Sequence, residues 1–173
     1  MSKGDRGRFF EDFEIGEVLE HAGPRTVSAA DAALYLALTG SRFALHGAEP
    51  IARAWGLPAM PLDDLLVFHL IFGMSVPDLS VNAVANLGYA DGRFLALVFP
   101  GDTLCARSTV IGRKETSSGR TGIVWVRTEG FKADGTPVLA YVRWVLVNKR
   151  DPASPAPAPV VPDLPAFVTP DRL

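Results

Sequence analysis

The chain of 173 residues contains a single cysteine, Cys105, and only three histidines. One cysteine cannot form an intramolecular disulfide, and a cysteine-based zinc cluster is excluded. The formal net charge of −2 gives no bulk attraction to nucleic acid or to an anionic membrane. No apolar run reaches the roughly 18 residues of a transmembrane helix, and the charged N-terminus lacks the apolar core of a secretory signal. We therefore expect a cytoplasmic protein without nucleic-acid or membrane partners.

Proline, in contrast, is concentrated at the C-terminus, where half of the 14 prolines follow Asp151. Proline fixes φ and donates no backbone hydrogen bond, so this stretch cannot form a helix or a central strand. We predict one domain over residues 1–150 and an extended, polyproline-like tail or linker over residues 151–173. A tail of this composition usually joins two domains.

Helical signals occupy the first half of the domain. Ser28 is a good N-cap for an Ala/Leu-rich helix over residues 29–38, which Gly40 ends. A second, shorter helix is predicted over residues 49–55.

The most apolar segment, residues 62–74, has its apolar side chains at helical spacing. Asp63 and Asp64 stand at its start, where negative charge complements the helix dipole. We predict a central helix that is buried nearly all round, with His69 as a core histidine.

Downstream of this helix the apolar pattern changes to a period of two. A short strand is predicted over 17–21, ahead of the helices, and longer strands over 86–98, 102–113, 122–131 and 137–147. A long antiparallel sheet accompanied by one strongly apolar helix wraps around that helix to bury it. The predicted fold class is α+β, a curved antiparallel β-sheet around a central apolar helix. Cys105, Trp125 and Trp144 are interpreted as packing residues of these strands.

Three strings, in this order, carry a family likeness: YLALTGSRFALH from Tyr35, MPLDDLL from Met60, and FPGDTL from Phe99. Their order and spacing resemble those of the MaoC-like hydratase/dehydratase superfamily, whose members have the hotdog fold. TGSRFALH, DDLLVFH, NAVANLGYADGRF and VRWVLV resemble more narrowly the N-terminal half of mesaconyl-CoA hydratases. In that family two hotdogs are fused in one chain through a proline-rich linker.

The resemblance implies reversible hydration of an enoyl-CoA thioester, such as mesaconyl-CoA to β-methylmalyl-CoA. This reaction needs a base that activates water, an acid that protonates the α-carbon, and dipoles that face the thioester oxygen. His46 is the candidate base, with a surface or interface histidine as the alternative. Ser41 replaces the superfamily's aspartate and could orient the water by hydrogen bonding. Asp64 replaces the histidine of the second string and could supply the lost carboxylate or cap the helix.

Four further residues are candidate substrate contacts: Arg42, Gly73, Asn86 and Tyr89. An arginine fork matches a carboxylate, so Arg42 is the candidate for the free carboxylate of a dicarboxylic acyl group; otherwise it is a solvated loop residue. Asn86 and Tyr89 are placed beside the acyl tunnel by the resemblance, with strand-end roles as the alternative. No metal and no cofactor are implied beyond the CoA of the substrate.

Two other functions stay open. The chain could be a non-catalytic hotdog half that completes the site of a partner hydratase subunit, because the superfamily's Asp, Asn and Pro are missing from the first string. It could also be a hotdog acyl-CoA thioesterase that uses Asp64. A hotdog has an exposed sheet edge, so we expect either a homodimer or a pair with a second hotdog subunit.

Overall fold

The computed structural model describes residues 7–165, and a six-stranded antiparallel sheet dominates them. The main path of the sheet is β1-β4-β5-β6-β3, and β2 also pairs with β4. The strands are β1 (Val18–Glu20), β2 (Arg25–Thr26), β3 (Ala83–Phe94), β4 (Thr103–Glu115), β5 (Thr121–Lys132) and β6 (Pro137–Asn148). The four long antiparallel strands predicted from the period of two are present, although β3 starts and ends earlier in the chain than expected.

Between residue 7 and β3 the structure has a short 3-10 helix, Phe10–Asp12, and four α-helices. The first, α1 (Ala29–Thr39), begins after Ser28, whose side chain accepts a hydrogen bond from the Asp31 N–H, and ends at Gly40, where φ is 67°. The other helices are α2 (Ala44–Gly47), α3 (Glu49–Ala54) and α4 (Asp64–Leu79). The sequence predicts a loop around His46, and the structure instead has one turn of helix there. No helix within residues 7–165 combines the length and apolarity needed to cross a bilayer.

The central helix α4 is longer than predicted, because it continues past Met74 and through Pro77 to Leu79. Proline has no N–H, so the carbonyl of Gly73 loses its usual donor. The final turn nevertheless buries Leu79 to 1% exposure in a core cluster that also contains Phe10. This burial offsets the missing hydrogen bond.

The sheet wraps around α4 closely because small residues on its strands let the helix approach. Ile71 of α4 is fully buried, and a Cβ added to Gly130 of β5 would lie 2.6 Å from Ile71 Cδ1. At the other end of the same strand, the ring of Phe10 lies against Gly122. The predicted hotdog fold, a curved antiparallel sheet around an apolar helix, is confirmed.

The expectation that α4 is buried nearly all round is wrong. Leu65 on this helix is 56% exposed, and His69, predicted to be a core histidine, is exposed as well. The sheet of this chain covers only one side of α4. The helix therefore has more apolar residues than the sheet can bury. The uncovered side faces outward beside the edge strand β3.

A buried polar network connects β1 to the end of α4. His21 Nδ1 lies 2.7 Å from Asp78 Oδ2, and His21 Nε2 lies 2.7 Å from Ser108 Oγ. Ser108 Oγ is in turn 2.8 Å from Thr128 Oγ1, and both hydroxyl residues are fully buried. The His21 side chain itself is 0% exposed, so both ring nitrogens are satisfied away from solvent. The sequence gives no signal for this network.

Replacing His21 by leucine is expected to lower the free energy of unfolding by about 2 kcal/mol, because Asp78 and buried Ser108 each lose a hydrogen bond and Ser108 keeps only Thr128 as a partner. Equilibrium urea denaturation measures the change. His69→Leu is the matched control, since His69 is exposed, and we expect it to leave the midpoint nearly unchanged. Equal effects of the two substitutions would show that the His21 network does not stabilise the fold.

The described part of the tail, residues 151–165, contains no helix and only one isolated β-bridge, between Val160 and Arg113 of β4. Its first residues are held by two side chains. Glu11 accepts hydrogen bonds from the Arg150 and Asp151 N–H groups, and buried Lys149 donates to the carbonyl of Ser154. Residues 166–173 of the predicted tail lie outside the described residues.

Candidate active site

Three polar side chains meet where α4 begins. Asp63 Oδ2 accepts a hydrogen bond of 2.9 Å from Ser41 Oγ and lies 3.4 Å from His46 Nδ1. The side chains of His46 and Asp63 are 10% and 13% exposed, so the pair is largely screened from solvent. A separation of 3.4 Å is within ion-pair range but long for a hydrogen bond, and His46 Nδ1 has no hydrogen-bond partner among the described residues.

Local structure explains why these three residues converge. Asp63 is the N-cap of α4, with extended φ and ψ of −61° and 133°, and its Oδ1 accepts a hydrogen bond from the Leu65 N–H. Ser41 follows the left-handed Gly40 that ends α1, and His46 lies in the single turn of α2. The Phe43 ring meets the imidazole edge-on, with centroids 5.2 Å apart, and helps to hold it.

The two neighbouring carboxylates, Asp63 and Asp64, have different electrostatic environments. Burial alone would raise the pKa of Asp63, but hydrogen bonds from Ser41 and the Leu65 N–H, with the nearby His46 imidazole, lower it below its usual value. Burial raises the pKa of Asp64 above its usual value. The His46 imidazole lowers this pKa, and the negative charge of Asp63 raises it further. Asp63 is therefore held as a carboxylate, whereas Asp64 is the more easily protonated of the two.

An apolar cleft of about 720 Å³ runs along α4 and the edge strand β3. Its lining includes Leu65, which follows Asp63 by two residues in the sequence, and the side chains of Phe68, Tyr89, Leu139, Tyr141 and Trp144. The rings of Phe68 and Tyr89 meet edge-on, 5.8 Å apart, and form one wall. The cleft has the size and apolar character of a small-molecule site.

The structure brings together some of the predicted site residues and separates others. Ser41 and His46 belong to one cluster, and Asp64 is adjacent to it. Tyr89 lines the cleft, and Asn86 lies on the same strand, where its Oδ1 accepts a 3.3 Å hydrogen bond from Arg143. Gly73 lies apart from both, in a smaller depression of about 290 Å³ that it shares with His69.

Arg42 is exposed in the loop between α1 and α2, next to Ser41. The resemblance identified it from this position alone. In the structure Arg42 makes no hydrogen bond or ion pair with the Ser41–Asp63–His46 cluster.

Sequence reasoning missed two residues of this region. Asp63 was interpreted only as a helix-start residue, yet it is the acid that contacts both Ser41 and His46. Arg143 of β6 is fully buried, with its guanidinium 4.6 Å from the Phe72 ring centroid and 2.9 Å from Ser75 Oγ. Burial lowers the pKa of Arg143, and the hydrogen-bond acceptors that the described residues give it are neutral. A strand position among apolar neighbours gave no signal for a buried cation.

Comparison with known proteins decides the family. The family model described as mesaconyl-CoA hydratase matches residues 2–159. The chain belongs to the mesaconyl-CoA hydratase family.

Two relatives align with nearly the whole of this chain. The mesaconyl-CoA hydratase of Cereibacter sphaeroides is 62% identical over 94% of this chain and 47% of the relative. The β-methylmalyl-CoA dehydratase of Chloroflexus aurantiacus is 54% identical over 96% of this chain and 47% of the relative. The chain thus spans about half the length of the curated relatives it matches.

A solved structure agrees with this family membership. The crystal structure of a MaoC domain protein described as a dehydratase, from Chloroflexus aurantiacus, superimposes with a TM-score of 0.92 at 54% identity. The match covers 95% of this chain and 47% of that one. The MaoC-like resemblance stated from the sequence is therefore confirmed, and so is its hotdog fold.

Proposed function

We propose that this chain forms one hotdog of an assembly that adds water reversibly to mesaconyl-CoA, giving β-methylmalyl-CoA. One observation carries the proposal: the Ser41–Asp63–His46 cluster lies at the start of α4, the helix that lines the apolar cleft through Leu65 and Phe68, in a chain 62% identical to a mesaconyl-CoA hydratase. The cleft fits the acyl part of a thioester, and the cluster supplies proton-transfer groups where α4 begins.

In the proposed mechanism His46 is the base. Its Nδ1 faces the carboxylate of Asp63, which favours the tautomer that carries the proton on Nδ1 and leaves Nε2 as the acceptor. Nε2 takes a proton from water while the hydroxide adds to the β-carbon, and the electrons of the double bond move to the thioester oxygen as an enolate. A proton then returns to the α-carbon, which completes the addition of one water.

Ser41 and Asp64 have supporting roles in this proposal. Ser41 donates to Asp63, which fixes the carboxylate against His46, and its hydroxyl oxygen remains able to accept from the water. Asp64 is the candidate for returning the proton to the α-carbon, because its raised pKa makes the protonated form more accessible. The positive end of the α4 dipole stabilises negative charge on the thioester oxygen.

Substrate recognition uses the cleft and its surroundings. We propose Tyr89 and Asn86 as contacts of the acyl group and Arg42 as the cation for its free carboxylate. The family likeness also proposes Gly73, which lies in the separate depression. The reaction requires no cofactor other than the CoA of the substrate, and we place it in the cytoplasm.

A second unit is proposed to cover the edge of the sheet. β3 pairs only with β6, and it carries exposed apolar side chains at Val84, Leu87 and Phe94. An open apolar edge of this kind is normally paired or covered. Exposed Leu65 of α4 lies on the same side of the molecule, along the cleft. The occupant is a second copy of this chain or a second hotdog subunit.

The alternative function is a non-catalytic half, and the coverage of only 47% of each relative favours considering it. Purified chain should be incubated with mesaconyl-CoA, alone and with a hotdog protein that matches the other half of the relatives. Loss of the conjugated enoyl-thioester absorbance, with a product one water heavier by mass spectrometry, is the expected result. Activity with the chain alone supports a catalytic homo-oligomer, and activity only in the mixture supports the alternative. No water addition under either condition would refute the proposed function.

A further inference from the structure

A row of residues crosses the outer face of the sheet, the face opposite α4. Alternate residues of a strand point to opposite faces, and Gly122 and Gly130 of β5 face Phe10 and Ile71. Trp125 therefore points outward.

The strand register places one residue of each neighbouring strand beside Trp125 or Trp144, so the row crosses four strands. Gly112 of β4 pairs with Trp125, Trp125 pairs with Trp144 of β6, and Trp144 pairs with Gly88 of β3. We call these four residues the tryptophan row. The two indole rings form an apolar strip, and the glycine at each end of the row has no side chain to project from the sheet.

The outer face of an antiparallel sheet is normally polar and solvated, yet Trp125 is only 8% exposed. The segment that covers the row is the tail. Arg113 and Val160 exchange two backbone hydrogen bonds of 2.9 Å, which brings the tail to the free edge of β4. From there Pro162 lies directly over Gly112, where an added Cβ would be 2.6 Å from Pro162 Cδ.

The last described residues of the tail lie beside Trp144 of the row. Leu164 and Pro165 line the apolar cleft together with Trp144 and with Gly92 of β3. An extended polyproline-like segment rises about 3.1 Å per residue, so Val160 to Pro165 spans about 15 Å. Three spacings of about 4.8 Å between neighbouring strands cover about 14 Å, the width from β4 to β3. The length of the segment matches the width of the row.

We propose that the tryptophan row is a binding surface for a proline-rich extended segment, and that its occupant is residues 160–165 of the same chain. Tryptophan faces bind proline rings in polyproline recognition, because the segment is already extended and loses little conformational entropy. Glycines at 112 and 88 leave room for the backbone and for the Trp144 ring. Docked in this way, the tail carries Leu164 and Pro165 to the cleft and makes them part of its wall. This role does not depend on the proposed hydratase activity.

The test uses the full-length chain with Trp55→Phe as background, because Trp55 is 71% exposed and would dominate the quenching signal. Pro162→Asp changes the tail and places a charge on the apolar row, without altering the sheet. Gly112→Ala changes the row and crowds Pro162 Cδ and the Val160 carbonyl. Gly47→Ala is the matched control, since Gly47 belongs to α2 rather than to the row or the cleft and a Cβ there meets nothing within 4 Å.

Hydrogen exchange of the Arg113 amide, which donates to Val160, reports tail docking directly. Both Pro162→Asp and Gly112→Ala should accelerate this exchange at least about tenfold, a weakening of about 1.4 kcal/mol. Acrylamide quenching of Trp125 and Trp144 should rise about twofold in both variants and stay unchanged in Gly47→Ala. Unaltered Arg113 exchange and unaltered quenching in both variants would overturn the proposal.

A peptide with the sequence of residues 156–165 tests the chemical class of the occupant. Added to the Pro162→Asp chain, it should restore the shielding of the two tryptophans, whereas the same peptide with aspartate in place of Pro162 should not. Failure of the unmodified peptide to restore the shielding at millimolar concentration, or equal restoration by both peptides, would contradict recognition of a proline-rich segment.

Discussion

Replacing His46 by alanine is expected to lower kcat/KM for water addition to mesaconyl-CoA at least about a hundredfold, as loss of a general base does. The imidazole is held between Asp63 and the edge of the Phe43 ring, and the cluster leaves no other base in contact with Asp63. Steady-state rates should be measured in whichever assembly is active. Wild-type-like turnover in this variant would remove His46 from the mechanism.

Two further variants separate the neighbouring acids. Asp63→Asn keeps the size and the oxygen that caps α4, but it removes the charge that faces His46. A loss of at least about tenfold is expected, because the imidazole then loses the group that sets its tautomer and orientation. If Asp64→Asn lowered kcat/KM more than Asp63→Asn did, Asp64 rather than Asp63 would be the more important acid in the mechanism. Arg53→Gln, on the exposed face of α3, is the control and should leave the rate unchanged.

Local signals predicted most of the fold. Ser28 and Gly40 bound α1 because a cap and a left-handed glycine are properties of a few neighbouring residues. The period of two over the long strands and the apolar run of α4 specify which faces are buried, so the wrapped sheet follows from them. The exposure of Leu65 and His69 could not be predicted, because it depends on how far the sheet extends around the helix.

The candidate site was predicted only in part, for a similar reason. Ser41 and His46, both named from the resemblance, lie against Asp63 in the structure, whereas the resemblance drew attention to Asp64. The difference depends on backbone geometry: at the N-cap, extended φ and ψ bring the Asp63 side chain back to the Leu65 N–H at the helix start, while Asp64 is already a residue of the first turn. Sequence spacing does not contain that information.

Contacts between residues far apart in the sequence lay beyond prediction altogether. His21 meets Ser108 across 87 positions, and Arg143 meets Ser75 across 68. Each of these polar groups occurs in an ordinary strand or helix pattern. Only the closed fold brings their partners together, and a buried polar group is stable only where such partners exist.

The second large expected effect concerns stability and the centre of the fold. Ile71→Ala should lower the free energy of unfolding by about 3 kcal/mol, within the range of about 2–5 kcal/mol for an isoleucine truncated in a closed core. Ile71 is fully buried on α4, and it fills the space that Gly130 leaves on β5, so no neighbouring side chain of that strand can move in to close the cavity. Chemical denaturation of the wild type and the variant measures the difference.

Leu65→Ala is the matched control, a truncation of an aliphatic residue on the same helix. Leu65 is 56% exposed in this chain, so less apolar area is lost and its change should stay below about 1 kcal/mol. Equal losses at the two positions would mean that the sheet does not enclose α4 on the Ile71 side more than on the Leu65 side. The arrangement that positions Asp63 at the start of this helix would then have no structural support, because the site depends on a helix held rigidly against the sheet by its buried face.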